Sequence, residues 1–399
     1  VGLHDGETQF VRDVLSSRLK YVKESAIRRF IELASQSKDV MHFEHGEPDF
    51  PTPQHIVEAA SKAMKDGFTH YGPTPGLPEL RKAISEKLAR ENKLPVDGAE
   101  GILVVSGTQE AMFLTALAFL GSGDEALVLD PYYPAYFEET LIAGAKPVTV
   151  PLSEETSYRI EAKHLEQYVT PRTKMVWLGS PVNPTGHLFS KKDLEEVAAV
   201  AERNDLLVFA DEIYEKLVYD GAEHTSIGSL PGMADRVITA NGFSKSYAMT
   251  GWRIGYVAAE RRLISQMSKL HYYTVLCAST IAQKAAYAAL NGSQDCVREM
   301  LQEYARRRGV VLQALKEIDG ISYVPPKGAF YVFPNISKFS KNDEAVAETL
   351  IREFSVATVP GSGFGRAGGG HLRLSYSVSL PEIREGLKRL QEGLEHFHQ

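Results

Sequence analysis

The 399 residues include only two cysteines. Cys277 and Cys296 belong to no CxxC or Cys/His grouping, so neither a zinc finger nor a disulfide framework is written here. A reducing, cytoplasmic setting is the expectation that follows. Long apolar runs are missing too. None is long enough to cross a bilayer, and the opening "VGLHDGETQF" is polar, unlike a signal peptide, so no membrane association is expected. Positive charge is scarce: 44 Lys and Arg against 51 Asp and Glu give a net charge of −7, which does not favour nucleic acid as a partner. The one basic run, "ARRRG" (Ala305–Gly309), sits in a helical pattern and reads as a solvated helix face. Internal repeats and low-complexity segments are absent as well.

What remains is an ordinary globular composition, 43% hydrophobic and 24% charged. The length exceeds one small core and predicts two domains, or a large one with a smaller one attached. A polar arm (1–30) leads into an amphipathic helix, "SAIRRFIELASQ". The Gly/Pro-dense "HGEPDFPTP" (His45–Pro53) reads as a loop. A helix ending at Gly67 and another opened by Pro78 follow.

From Gly101 the rhythm changes. Seven short apolar runs alternate with helical stretches: "GILVVSG", "EALVLD", "KPVTVPL", "KMVWLGS", "LLVFADE", "RVITANG" and "IGYVAA". Continuous apolarity is the mark of strands covered on both faces. The fold class is therefore α/β, with a mostly parallel sheet covered by helices in a large domain (56–285). A smaller α+β domain takes 31–55 and 286–399, where a long helix precedes the strands "AFYVFP" and "HLRLSYS".

Ligands of parallel sheets bind beyond the carboxyl ends of the strands. Polar residues follow four of the runs at that edge: Ser106-Gly107-Thr108-Gln109, then Asn183, then Asp211 with Tyr214, then Ser244 and Lys245. A helix opening at Ser106–Gln109 suits a phosphate, or is a plain N-cap. Asp211 ends a buried run and needs a partner, either a structural cation or a protonated ring nitrogen. Lys245 is a surface loop lysine or, if desolvated beside cations, a nucleophile toward an aldehyde. Cradle, acid and amine together match one cofactor, pyridoxal phosphate.

At this point the chain resembles the fold-type-I, class I pyridoxal-phosphate-dependent aminotransferases of the aspartate/aromatic group. The motifs "GEPDFPTP", "YGPTPGLPELR", "SGTQEA", "DPYYPAY", "SPVNPTG", "DEIY", "SKSYAMTGWRIGY" and "LRLSY" carry the resemblance along nearly the whole chain. It implies that Lys245 holds the cofactor as a Schiff base and that Asp211 pairs with its pyridinium nitrogen. It implies that Asn183 and Tyr214 bond the ring oxygen and that Tyr133 stacks on the ring. Gly107, Thr108, Gln109 and Arg253 would bind the phosphate, with Tyr71 reaching it from the other subunit of a homodimer. Arg373 would fork the substrate α-carboxylate, and Gly46 would pass its backbone close by. The family often has a serine three before the lysine. Here that position is Gly242, and Ser244 offers only partial replacement.

The implied reaction is ping-pong transamination between an L-α-amino acid and a 2-oxo acid. A dedicated side-chain arginine is not found around Leu270, in "SKLHYYTV", nor does "SGTQEA" carry a lysine. That leaves a broad choice: glutamate and 2-oxoglutarate, with aspartate or an aromatic partner. His45 stands where the family has a small or aliphatic residue. It is expected to face the substrate, against a plain loop-capping role. His42, Glu44 and His45 are not expected to gather around a metal, because alternation splits them across two faces. Rival readings keep the cofactor but change the chemistry to elimination, decarboxylation or cyclisation, or leave a non-catalytic sensor. A nicotinamide dehydrogenase fails because "PGSGFG" is followed by a strand and not a helix.

Overall fold

The computed structural model describes residues 16–397 except 38, 95 and 97. Residues 1–15 of the expected N-terminal arm lie outside that set. After a two-residue strand β1 (Met41–His42), the seven apolar runs become β2 (Ile102–Val105), β3 (Glu125–Asp130), β4 (Lys146–Pro151), β5 (Thr173–Gly179), β6 (Leu207–Asp211), β7 (Val237–Gly242) and β8 (Gly255–Ala258). They make one sheet in the order β2-β8-β7-β6-β5-β3-β4. The pairs from β4 across to β7 are parallel, and β8 runs antiparallel to both its neighbours.

Continuous apolarity has the expected cause. Every residue of β2, β3, β7 and β8 is buried, whereas the edge strand β4 has a single buried residue, Val150. Successive residues go to opposite cores: Leu103, Val128, Trp177, Phe209 and Ile238 pack on one face, and Val104, Leu127, Val176 and Val208 on the other.

The reversal of β8 matters for function. Its first residue, Gly255, pairs with Val105 and with Gly242, the last residues of β2 and β7. The start of β8 therefore lies at the edge where the parallel strands end. Arg253, two residues earlier, is delivered to the same edge as Asp211 and Lys245.

A second region holds β9 (Tyr331–Val332), β10 (Val356–Ala357), β11 (Val359–Pro360) and β12 (Leu372–Ser375). β12 lies antiparallel between β11 and β9, and β10 pairs in parallel with β1. Ser375 N–H donates to the Phe43 carbonyl at 2.8 Å, so the segment after β1 runs beside β12. Phe30, Phe43, Tyr304, Phe330 and Tyr376 share the core beneath, under the helices Asp295–Lys316 and Leu380–His396. "PGSGFG" itself holds one short 3-10 turn (Gly361–Phe364), and a second (Arg366–Gly368) leads into β12, so no α-helix follows the glycines.

The basic run differs from the sequence expectation. Arg306 is exposed and bonds Glu303 within its own helix. Arg307 is buried and grips both carboxylate oxygens of Asp49 at 2.8 and 3.0 Å. Arg308 pairs with Asp220 at 2.8 Å and donates to the Pro326 carbonyl. Two of the three arginines are fasteners, and one of them pins the "GEPDF" loop to the long helix.

Candidate active site

Lys245 sits in a tight turn between β7 and β8. Tyr247 N–H returns to the Phe243 carbonyl and Met249 N–H to that of Ser244. Ala248 and Arg253 take left-handed backbone conformations, φ 50° and 51°, which non-glycine residues adopt at a cost. The turn is stitched to the loop at Gly46–Thr52. Thr52 donates to the Ala248 carbonyl at 2.6 Å and accepts from the Trp252 indole at 2.9 Å, while Thr250 donates to Glu47 at 2.7 Å.

The Lys245 Nζ reaches across this seam and donates to the Gly46 carbonyl. Burial pushes its pKa down to about 8, and the Arg373 and Arg253 guanidiniums push the same way against Glu47 and Asp211. Asp211 closes β6. Burial raises its carboxyl to about 6, opposed by the Ile213 N–H at 3.2 Å and the Tyr136 hydroxyl at 3.0 Å. Arg373 lies on β12, almost wholly buried. Its Nη1 donates to Asn183 Oδ1 at 3.2 Å and its Nη2 to the Glu44 carbonyl, while its Nε has no partner. The guanidinium lies 4.7 Å from the Tyr331 ring centre.

These groups surround one cavity of about 220 Å³, lined among others by Gly46, Thr108, Gln109, Tyr133, Asn183, Asp211, Tyr214, Ser244, Lys245, Arg253 and Arg373. Gly107 stands behind it. Its φ is +86°, and a Cβ there would lie 2.6 Å from the Arg253 guanidinium. No side chain caps the helix Thr108–Phe119, whose N-cap is Gly107, so its first N–H groups are left free to donate to an anion. Gly242 has little room for a side chain: a Cβ would meet the Gly255 Cα at 3.1 Å and the Ile254 carbonyl at 3.2 Å. A wider cleft of about 1200 Å³ adjoins, sharing Ile27, Gln109, Tyr133 and Arg253, but Lys245, Asp211 and Arg373 line only the smaller cavity.

Two expected residues stand apart. Tyr71 is 82% exposed and lines neither space. His45 does not line the cavity either. A bend at Glu44 turns its ring back onto His42, with ring centres 4.9 Å apart. The same bend overturns the alternation argument. One ligand atom each from His42, Glu44 and His45 falls within 4.8 Å of the others, because β1 ends at His42 and regular alternation ends with it.

Sequence reasoning missed three residues. Tyr136, one helical turn after Tyr133, bonds Asp211, and the spacing in "DPYYPAY" signalled it. Tyr331 shares a hydrogen bond with Tyr214 at 2.8 Å, and no local signal announced it. Glu139 accepts from Gln109, which accepts from Tyr133 at 3.1 Å. Burial pushes Glu139 up to about 9, so it stays protonated at neutral pH.

The profile of the "Aminotransferase class I and II" family matches residues 38–390. An aspartate aminotransferase of Pyrococcus abyssi is 45% identical across 95% of this chain and 98% of its own length. The aromatic-amino-acid aminotransferase 2 of Thermococcus litoralis is 42% identical over the same shares. Among solved structures, the aspartate aminotransferase from Thermus thermophilus with maleate superposes with a TM-score of 0.89 at 38% identity, covering 95% of this chain and 99% of that one. The aromatic aminotransferase from Pyrococcus horikoshii OT3 gives 0.88 at 43% identity, over 92% and 99%. The chain belongs to the class I and II aminotransferases.

Proposed function

We propose that the cavity holds pyridoxal phosphate and transfers an amino group between an L-α-amino acid (aspartate, glutamate or an aromatic one) and 2-oxoglutarate. One observation carries this reading. Lys245, Asp211, Arg253 and Arg373 converge on one space, and their hydrogen-bond partners are neutral: carbonyls, an amide, a peptide N–H and a phenol. For the buried Asp211 and Arg373, a charge held this way is costly unless a ligand completes it. The donor set fits the cofactor: an amine for its aldehyde, a carboxylate for its ring nitrogen, and an uncapped helix start with Arg253 for its phosphate.

When bound, pyridoxal phosphate supplies an aldehyde that takes up an amine and a ring that accepts an electron pair. The chain's own groups do the rest. Lys245 Nζ, with a pKa near 8, has enough free base near neutrality to take and return the proton at the substrate Cα. Asp211, oriented by Tyr136 and Ile213 N–H, would supply the anion for the ring nitrogen. Tyr214, tied to Tyr331, and Asn183 are the donors for the ring oxygen. Tyr133, held by Gln109, would offer its ring to the cofactor's face. Thr108, Gln109 and Ser244 join Arg253 at the phosphate. Arg373 offers its unpartnered Nε, and its Nη groups exchange neutral acceptors for the substrate α-carboxylate. Gly46 passes close beneath, where a Cβ would come within 3.0 Å of the Tyr331 hydroxyl.

Arg253 and Arg373 are the only arginines lining the cavity among the described residues. With both engaged, neither of these two is left for a side-chain carboxylate, which supports a broad side-chain choice. The exposed Tyr71 and the cleft beside Ile27 support a homodimer that shares its sites. The test is product analysis with 2-oxoglutarate and either aspartate or phenylalanine. Both are expected to yield glutamate with parallel double-reciprocal lines. Ammonia or carbon dioxide released without 2-oxoglutarate would overturn the reading.

A further inference from the structure

We propose that His42, Glu44 and His45 bind a divalent transition-metal ion of the zinc type, next to the cavity and outside it. His42 Nδ1 lies 2.7 Å from Glu44 Oε1, and His45 Nε2 lies 3.5 Å from the same oxygen. The Glu44 side chain is fully buried, and its Oε2 has no hydrogen-bond partner. Neither carboxylate oxygen meets a lysine or an arginine: Arg373 bonds the Glu44 carbonyl and leaves the carboxylate alone. A buried carboxylate with a bare oxygen calls for a cation. Two imidazoles that face it supply the remaining protein ligands.

The other such grouping among the described residues shows what a completed cluster looks like. Glu212, Glu215 and His224 also converge. There the Lys87 ammonium already meets Glu215, Ser226 donates to Glu212 at 2.6 Å, and Asn92 donates to Glu215 at 2.6 Å. That cluster has a lysine as its cation; at Glu44 the only counter-charges are the two imidazoles on Oε1, whose protons a metal ion would replace.

Two imidazole nitrogens and one carboxylate suit zinc, cobalt or nickel, and suit magnesium or calcium poorly. The two histidine side chains are 33% and 37% exposed, which leaves the outer side of the site open to water ligands. Binding would also stiffen the segment ahead of Gly46, whose carbonyl receives Lys245.

The experiment is equilibrium dialysis of the untagged, cofactor-loaded enzyme against zinc sulfate, with bound metal counted by elemental analysis. Magnesium sulfate is run in parallel. The wild type is expected to retain one zinc per chain and no magnesium. His42→Ala and His45→Leu are each expected to weaken zinc retention at least tenfold, and zinc is expected to raise the Tm of the wild type but not of His45→Leu. His45 is partly exposed, so its variant keeps the test valid if Glu44→Gln fails to fold. Failure of the wild type to retain zinc, wild-type retention of zinc by either histidine variant, or retention of magnesium equal to that of zinc would overturn the proposal. None of these results bears on transamination, which is measured separately.

Discussion

Asp211 and Glu212 are consecutive residues, both buried, with opposite surroundings. Asp211 faces the cavity with a phenol and a peptide N–H as donors. Glu212 faces away into a cluster with His224, Ser226 and Asn92, beside the Lys87–Glu215 pair. Burial alone would raise Glu215, yet Lys87, His224 and Lys216 outweigh it and hold the carboxyl at about 2. Asp211 is raised to about 6. The difference separates two uses of buried charge. A cluster that completes its own charges holds the fold together. A set of charges left with neutral partners waits for a ligand.

That comparison breaks most visibly at Lys245. Lys245→Ala is expected to cut steady-state transamination by at least ~10³-fold while leaving the fold intact, as a far-UV spectrum and Tm would show. On the other side of Asp211, Lys87→Met strands the Glu215 carboxylate. Stability in denaturant titration is expected to fall by about 3–5 kcal/mol, with kcat of the surviving folded enzyme little changed. An inversion of these two outcomes would collapse the distinction between site and scaffold.

Arg373→Lys keeps the charge and loses the fork. It is expected to lower kcat/KM for every α-amino acid by about 10²-fold, without selecting among side chains. A loss confined to aspartate and glutamate would instead make Arg373 a side-chain reader.

The smallest effect concerns pH. The folded pKa of Lys245, about 8, lies below its unfolded value of about 10.4. Below pH 8 both states are protonated, and the cofactor-free fold bears the full cost of a desolvated ammonium. Between pH 8 and about 10.4 that cost fades as the folded state loses its proton first. Cofactor-free Lys245→Met is therefore expected to melt above the wild type at neutral pH, with the gap closing across that window. A gap constant with pH would mean that the ammonium is not under strain.

The strands of the main sheet were legible because burial on both faces leaves a continuous apolar run, and all seven runs joined one sheet. Their order was not, since nothing local says that β8 enters reversed between β2 and β7. That reversal carries Arg253 to the cavity. Lys245, Asp211 and Arg373 could be picked out because each lies in a motif of known chemistry. Tyr331 could not, because its partner Tyr214 is 117 residues away. Arg307 looked like a solvated charge for the same reason: its partner Asp49 is 258 residues distant. At His45 a single bend at Glu44 ends strand alternation and sets the ring beside His42.

The central claim is that Lys245 holds pyridoxal phosphate in this cavity. A visible absorption spectrum of the reconstituted enzyme tests it most directly, recorded alone, after glutamate, and after 2-oxoglutarate. A lysine-linked band is expected that glutamate removes and 2-oxoglutarate restores, and that Lys245→Ala never forms. The same band in Lys245→Ala, or a wild-type band unmoved by glutamate, would contradict it.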